Sequence, residues 1–239
     1  MPDKDRSLLL AVLIDADNVP AKYAKAILKE VTAYGEPGLR RVYGDWSNQH
    51  LSGWTRTAQD LGLVQHQQTA NTKGKNASDI GLVIDAMDIL HAGHFDGFVL
   101  VSSDSDFTRL ASRIREQGLT VIGIGEAKAP DSLKNACNRF VAIENISGDS
   151  SDPETKAARK LTGESLAEAR QLFFDAMEKI DSDDEWMPLG RIGQQIQADY
   201  PDFDTRTYGK RKLSDLVADL KVFEARKGAG NQLLVRRID

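Results

Sequence analysis

The sequence is poor in cysteine and in long apolar runs, and it has no excess of positive charge. Cys137 is the only cysteine among 239 residues, which excludes an internal disulfide and is typical of a reducing compartment such as the cytoplasm. No apolar stretch approaches the roughly 18 residues that a membrane-spanning helix needs. The net charge is −5, and neither half of the chain is broadly basic. Any binding of a polyanion must therefore depend on local basic patches.

The first 146 residues alternate between apolar strands and helical segments. Hydrophobic residues make up 41% of the chain and charged residues 28%, which are ordinary values for a globular protein. The pattern predicts strands near residues 8–14, 39–43, 62–66, 97–102, 119–124 and 139–143, with helices between them. Strands that alternate with helices predict an α/β fold, in which a parallel sheet lies between two layers of helices.

The helix predicted at residues 79–90 has a strongly apolar composition. Residues at helical spacing are expected to form its inward face: Ile80, Val83, Ile84, Met87 and Leu90. Asp85 and Asp88 are expected on a solvated face. His91 and His94 are expected to be structural or exposed, since no further histidine or cysteine accompanies them as a zinc ligand.

Residues 147–163 are polar, lack apolar periodicity and are predicted to form a linker. The segment 164–239 that follows is a smaller predicted domain. Its pattern predicts helices at 164–180, 189–199 and 205–220, then two strands at 222–226 and 232–236 around a glycine-containing turn. Three helices followed by a hairpin are typical of a winged helix-turn-helix domain.

Acidic side chains follow two of the buried strands and open one helix. Asp15 and Asn18 follow the first strand, Asp104 and Asp106 follow the fourth, and Asp79 begins the helix after the third. If the first and fourth strands are neighbours, the sheet has its switch point between them and these side chains meet in one crevice. Any one of the aspartates has an ordinary alternative role as a helix cap. Several of them at one rim favour a site for Mg²⁺ or Mn²⁺, because clustered carboxylates repel one another without a cation.

Cationic and aromatic residues near these acids are candidates for contacts with phosphates and bases. Lys73 and Lys75 lie in the loop before Asp79, and Arg109 follows Asp106 on the same predicted helix. Lys134 follows the fifth strand, and Trp46 follows the second. The loop lysines are equally well explained as solvated side chains that contact no phosphate. Trp46 is equally well explained as a core residue that does not stack on a base.

Three motifs in order resemble the NYN domain, a branch of the PIN-like nucleases. They are LIDADN at residues 13–18, KNASDI at 75–80 and VSSDSDF at 101–107. The resemblance implies a PIN-like Rossmannoid three-layer sandwich over residues 1–146 and a metal-dependent ribonuclease centre. Residues that match the family's active-site positions are Asp15, Asn18, Asp79, Asp104 and Asp106.

The C-terminal segment resembles the LOTUS domain, also called OST-HTH. The matching pieces are MPLGRI at residues 187–192, YPDF at 200–203 and the helix and hairpin that follow. This resemblance implies binding of RNA or of a protein partner. The local basic cluster expected to serve it comprises Arg206, Lys210, Arg211 and Lys212.

The sequence as a whole predicts a cytoplasmic, metal-dependent ribonuclease that acts on single-stranded RNA, with Asp15 and Asp104 as the expected direct ligands. One alternative stays open because Asp15-Ala-Asp17 also resembles the nucleophile motif of haloacid-dehalogenase-type phosphatases. That family expects a cap insertion and a lysine before its last acidic pair, and no clear cap is visible. A second alternative is an RNA-binding module whose nuclease site is idle.

Overall fold

The computed structural model describes residues 7–68, 77–147, 163–180 and 184–238. Lys73 and Lys75 lie outside these described residues. The chain divides into two compact units, residues 1–148 and 149–239. Within the described ranges, no helix combines the length and the apolar character needed to cross a membrane.

The first unit is built on a parallel sheet of six strands in the order β3-β2-β1-β4-β5-β6. The strands are β1 (Leu8–Asp15), β2 (Gly35–Gly44), β3 (Val64–Gln67), β4 (Gly97–Val101), β5 (Thr120–Gly125) and β6 (Arg139–Ala142). The predicted parallel α/β fold is thus confirmed. Because β1 lies between β2 and β4, the sheet has its switch point there, at the carboxyl end of β1.

Helices cover both faces of the sheet. They are α1 (Ala24–Val31), α2 (Ser52–Leu61), α3 (Ala77–Ala92), α4 (Thr108–Glu116), α5 (Asp131–Ala136) and α6 (Ile143–Ile146). Successive residues of β1 point to opposite faces, so Val12 packs in the cluster that contains residues of α1 and α2, and Leu13 packs in the cluster with α3, α4 and α5. This two-sided burial explains why β1 is a continuous apolar run rather than an alternating one.

The predicted inward face of α3 was wrong in part. Ile80 and Ile84 are 61% and 58% exposed, whereas Leu82 and Ala86 are buried in the core. The physical reason is that α3 carries apolar residues on all sides, so its periodicity does not select one face.

The expected solvated position of Asp85 was also wrong. Asp85 is half-buried, and its carboxylate accepts hydrogen bonds from the Arg41 guanidinium and the Tyr43 hydroxyl, both on β2. His66 on β3 lies 4.0 Å from the same carboxylate. The Asp85 carboxylate therefore links α3 to β2 through these contacts instead of facing water. Asp88, the other acid of that prediction, is exposed as expected.

The second unit contains three α-helices and a small antiparallel sheet within its described residues. Its elements are α7 (Gly163–Lys179), β7 (Met187–Pro188), α8 (Leu189–Asp199), α9 (Leu213–Leu220), β8 (Phe223–Lys227) and β9 (Leu233–Arg237). The strands are ordered β7-β9-β8, and the helices share one core with Val235 of β9. The first two predicted helices and the predicted hairpin are confirmed.

The predicted helix at 205–220 is in fact two elements. A short 3₁₀ helix, Thr205–Tyr208, ends at Gly209 with a left-handed φ of 68°, and α9 begins only at Leu213. The carboxylate of Asp204 caps the short helix by accepting a hydrogen bond from the Arg206 backbone N–H at 2.8 Å. Gly209 makes the break possible because glycine adopts a positive φ without steric cost.

Candidate metal centre

Asp15 ends β1 at the switch point and is 3% exposed. Its Oδ2 accepts a hydrogen bond from the Ser102 hydroxyl at 2.9 Å, and its Oδ1 accepts one from the Asp17 backbone N–H at 3.2 Å. The register places Ile14 beside Val101, so Ser102 follows directly alongside Asp15. The pairing of β1 with β4 therefore fixes the surroundings of this carboxylate.

The loops after β1 and β4 are joined by further hydrogen bonds. The Asn18 side-chain oxygen accepts a hydrogen bond from the Ser103 backbone N–H at 2.7 Å. The Asp104 backbone N–H donates to the Ser102 hydroxyl oxygen at 3.1 Å. Asn18 thus holds the loop that presents Asp104, and Ser102 links that loop to Asp15.

Three carboxylates from two segments meet beside these loops. One carboxylate oxygen from each of Asp79, Asp104 and Asp106 lies within 4.8 Å of the others. Asp79 is in the first turn of α3, while Asp104 precedes the 3₁₀ helix Ser105–Phe107 that contains Asp106. Asp104 also caps that helix, since its Oδ1 accepts a hydrogen bond from the Asp106 backbone N–H at 2.9 Å. Capping and clustering are therefore compatible for this residue.

The negative charges of the site repel one another. Burial raises the pKa of Asp79, and the nearby carboxylates of Asp104, Asp106 and Asp17 raise it further. Burial raises the pKa of Asp15 to about 7; Asp79 and Asp17 add to the increase, while the hydrogen bond from Ser102 opposes it. Both aspartates hold their negative charge at a cost that a bound cation would relieve.

The donor set fits a hard divalent cation. Oxygen ligands that share one Mg²⁺ ion at the usual distance lie at most about 4.2 Å apart, so the three carboxylates need only small rotations to reach a common ion. All three donors are carboxylate oxygens, the type that Mg²⁺ and Mn²⁺ prefer. Asp15 lies outside this group of three, and the negative charge of Asp79 helps to raise the pKa of its buried carboxyl.

The other predicted contacts of the first unit differ in accessibility. Arg109 is exposed in the first turn of α4. The Lys134 side chain is only 13% exposed, and its ammonium lies 3.9 Å from Asp131 on the same helix. Trp46 is half-buried and packs against the core cluster that contains Leu51. Arg109 is thus the most accessible of these three.

The predicted basic cluster of the second unit is divided. The Arg206 guanidinium donates to the buried carboxylate of Asp204, and the Lys210 ammonium pairs with Asp219 on α9. Arg211 and Lys212 are exposed. Sequence reasoning missed both ion pairs, because Asp204 and Asp219 carry no signal that distinguishes them from other surface acids.

The first unit matches the sequence profile of the NYN domain over residues 9–144, which is more than half of the chain. The chain belongs to the NYN domain family. The five residues expected at the family's active-site positions all lie inside the NYN domain, and three of them form its acidic cluster. The second unit matches the OST-HTH/LOTUS domain over residues 160–235.

Two solved structures show partial likeness to this NYN protein. A protein of unknown function from Vibrio parahaemolyticus RIMD 2210633 is 21% identical, with a TM-score of 0.49, over 59% of this chain and 96% of its own. MurG from Acinetobacter baumannii is 12% identical, with a TM-score of 0.39, over 82% of this chain and 64% of its own. No curated protein matches the chain significantly.

Proposed function

We propose that this NYN protein is a metal-dependent ribonuclease that hydrolyses phosphodiester bonds of single-stranded RNA in the cytoplasm. The observation that carries the proposal is the convergence of Asp79, Asp104 and Asp106 at the switch point of an NYN domain. The same proposal gives the LOTUS domain, residues 164–239, the task of holding RNA, with 147–163 as the linker.

The acidic cluster would hold the cation through Asp79, Asp104 and Asp106. A bound Mg²⁺ or Mn²⁺ supplies a Lewis acid and lowers the pKa of its water, which is the chemistry that phosphodiester hydrolysis needs. The contribution of the chain is position: Asn18 holds the loop of Asp104 through Ser103, and Ser102 fixes the orientation of Asp15. Asp79 raises the pKa of Asp15, and a cation bound at the cluster would favour the ionised form of this carboxyl.

The burial of Asp15 argues against the phosphatase alternative. A nucleophilic aspartate must present a free, ionised oxygen to the phosphorus atom. Asp15 is 3% exposed, both of its oxygens accept hydrogen bonds, and burial raises the pKa of its carboxyl to about 7. Each of these features weakens it as a nucleophile.

The test offers the protein two substrates in the presence of Mn²⁺. A ribonuclease is expected to shorten a labelled single-stranded RNA and to leave p-nitrophenyl phosphate intact, whereas a phosphatase does the reverse. Tight RNA binding with no turnover of either substrate would favour the idle binding module and contradict the proposed catalysis. If the wild type releases p-nitrophenol and Asp15→Asn does not, the result would support the phosphatase alternative instead.

A further inference from the structure

The LOTUS domain contains a groove that the sequence did not reveal. The groove has a volume of about 600 Å³ and lies where the first residues of α8 and α9 meet the start of β9. Its cationic lining residues are Arg191 of α8 and Lys212, the residue before α9. They are separated by 21 positions in the sequence, so no local motif predicts that they lie together.

The groove is positively charged and rich in hydrogen-bond donors. Neither Arg191 nor Lys212 has a carboxylate partner among the described residues, and both are exposed. The side chains of Gln194, Ser214 and Gln232 also line it, and none of the lining residues is acidic. This distinguishes Arg191 and Lys212 from Arg206 and Lys210, whose charges are already paired within the domain.

Two glycines of α8 differ in the space around them. A Cβ at Gly193 would lie 2.7 Å from the Leu213 side chain, so glycine there lets α8 approach the start of α9 closely. A Cβ at Gly190, which lines the groove, would meet nothing within 4 Å. Leu213 and Leu233 add half-buried apolar surface on which a base or ribose can rest.

We propose that this groove, defined by Arg191, Gln194, Lys212, Ser214 and Gln232, is the surface on which the LOTUS domain binds the phosphate backbone of RNA. The inference rests on the proposed function, because it specifies where the second domain holds RNA. Two unpaired cations with amide and hydroxyl donors suit phosphate oxygens, and contacts of this kind are insensitive to base sequence. An apolar protein surface would leave both the cations and the amide donors without partners.

The test measures the affinity of the full-length protein for a short fluorescent single-stranded RNA in EDTA, at several salt concentrations. Arg191→Ala/Lys212→Ala is expected to weaken binding about tenfold and to reduce the salt slope by about 1.4, since each contact with a single strand contributes about 0.7. The matched control Arg170→Ala, an exposed arginine of α7 that does not line the groove, is expected to bind as the wild type does.

A second pair of variants tests the effect of a negative charge in the groove without removing any side chain that lines it. Gly190→Glu and Gly190→Gln both fit the open space at this position, and they differ only in charge. Glutamate near the start of a helix does not destabilise it, so a loss of folding is not expected. The glutamate variant should bind RNA several-fold more weakly than the glutamine variant.

The outcomes separate the groove from the wider proposal. In one outcome, removal of residues 164–239 weakens RNA binding while Arg191→Ala/Lys212→Ala and Gly190→Glu bind RNA normally. The RNA then lies elsewhere on the domain, and the proposal that the groove binds RNA is wrong. If the truncated, substituted and wild-type proteins all bind RNA equally, the LOTUS domain does not hold RNA. That result contradicts the second part of the proposed function and directs attention to a protein partner.

Discussion

Replacement of Asp15 by asparagine is expected to stabilise the NYN domain against unfolding when no metal is bound. The buried carboxyl has a pKa of about 7 in the folded protein, against an ordinary value of 3.8. Between these values the folded state retains a proton that the unfolded state has lost. The contribution of the Asp15 carboxyl to the unfolding free energy is therefore most favourable below the ordinary pKa. This contribution is lost as the pH rises through the folded pKa, because the buried carboxyl must then ionise.

The magnitude follows from the difference between the two pKa values. A difference of about three corresponds to about 4 kcal/mol of unfolding free energy lost once the pH exceeds the folded pKa. Asparagine removes this cost and can still accept the hydrogen bond from Ser102. Its amide donor would face the Asp17 backbone N–H, which costs about 1–2 kcal/mol. The expected net gain is about 2–3 kcal/mol near pH 8.

The assay is urea unfolding in EDTA, performed near pH 8 and near pH 4.5. The stability of Asp15→Asn should exceed that of the wild type at the higher pH, and the difference should approach zero at the lower pH. Asp60→Asn is a matched control because the Asp60 side chain is 68% exposed on α2. An Asp15→Asn protein that is less stable than the wild type by the same amount at both pH values would refute the electrostatic reasoning.

Two further predictions concern the support of the site and the division of labour between domains. Asp85→Asn should lower the unfolding free energy by about 1–3 kcal/mol, because it weakens the half-buried contacts with Arg41 and Tyr43, whereas Asp88→Asn on the exposed face should have little effect in the same urea titration. Removal of residues 164–239 should weaken RNA affinity but leave the Mn²⁺-dependent rate at saturating RNA largely unchanged, since all the candidate ligands precede that segment.

The sequence predicted the parts of this protein that depend on local pattern. Buried strands appear as continuous apolar runs, and the acids that follow β1 and β4 must lie at one edge of a parallel sheet. Asp15, Asp104 and Asp106 could therefore be assigned to one rim before their geometry was known. Asp79 was placed by the same reasoning, because it opens the helix that follows β3.

The features that escaped sequence reasoning depend on partners distant in the chain. Asp85 looks like a surface acid until α3 packs on β2 and brings Arg41 to it, 44 residues away. Similarly, the charge of Lys210 is paired because α9 presents Asp219, and the break at Gly209 decides where α9 begins. Arg191 belongs to a groove that exists only after two helices and a strand have assembled.

The central claim is that Asp79, Asp104 and Asp106 form a metal centre that cleaves RNA, and its most direct test is cleavage of a labelled single-stranded RNA by wild-type protein and Asp104→Asn, each with Mn²⁺ or EDTA. Asparagine caps a helix about as well as aspartate, so the variant removes the charge while keeping the cap at Ser105–Phe107. The account predicts cleavage by the wild type with Mn²⁺ only, and a loss of about 100-fold or more in the variant. Equal cleavage by both proteins, or cleavage by the wild type in EDTA, would contradict it.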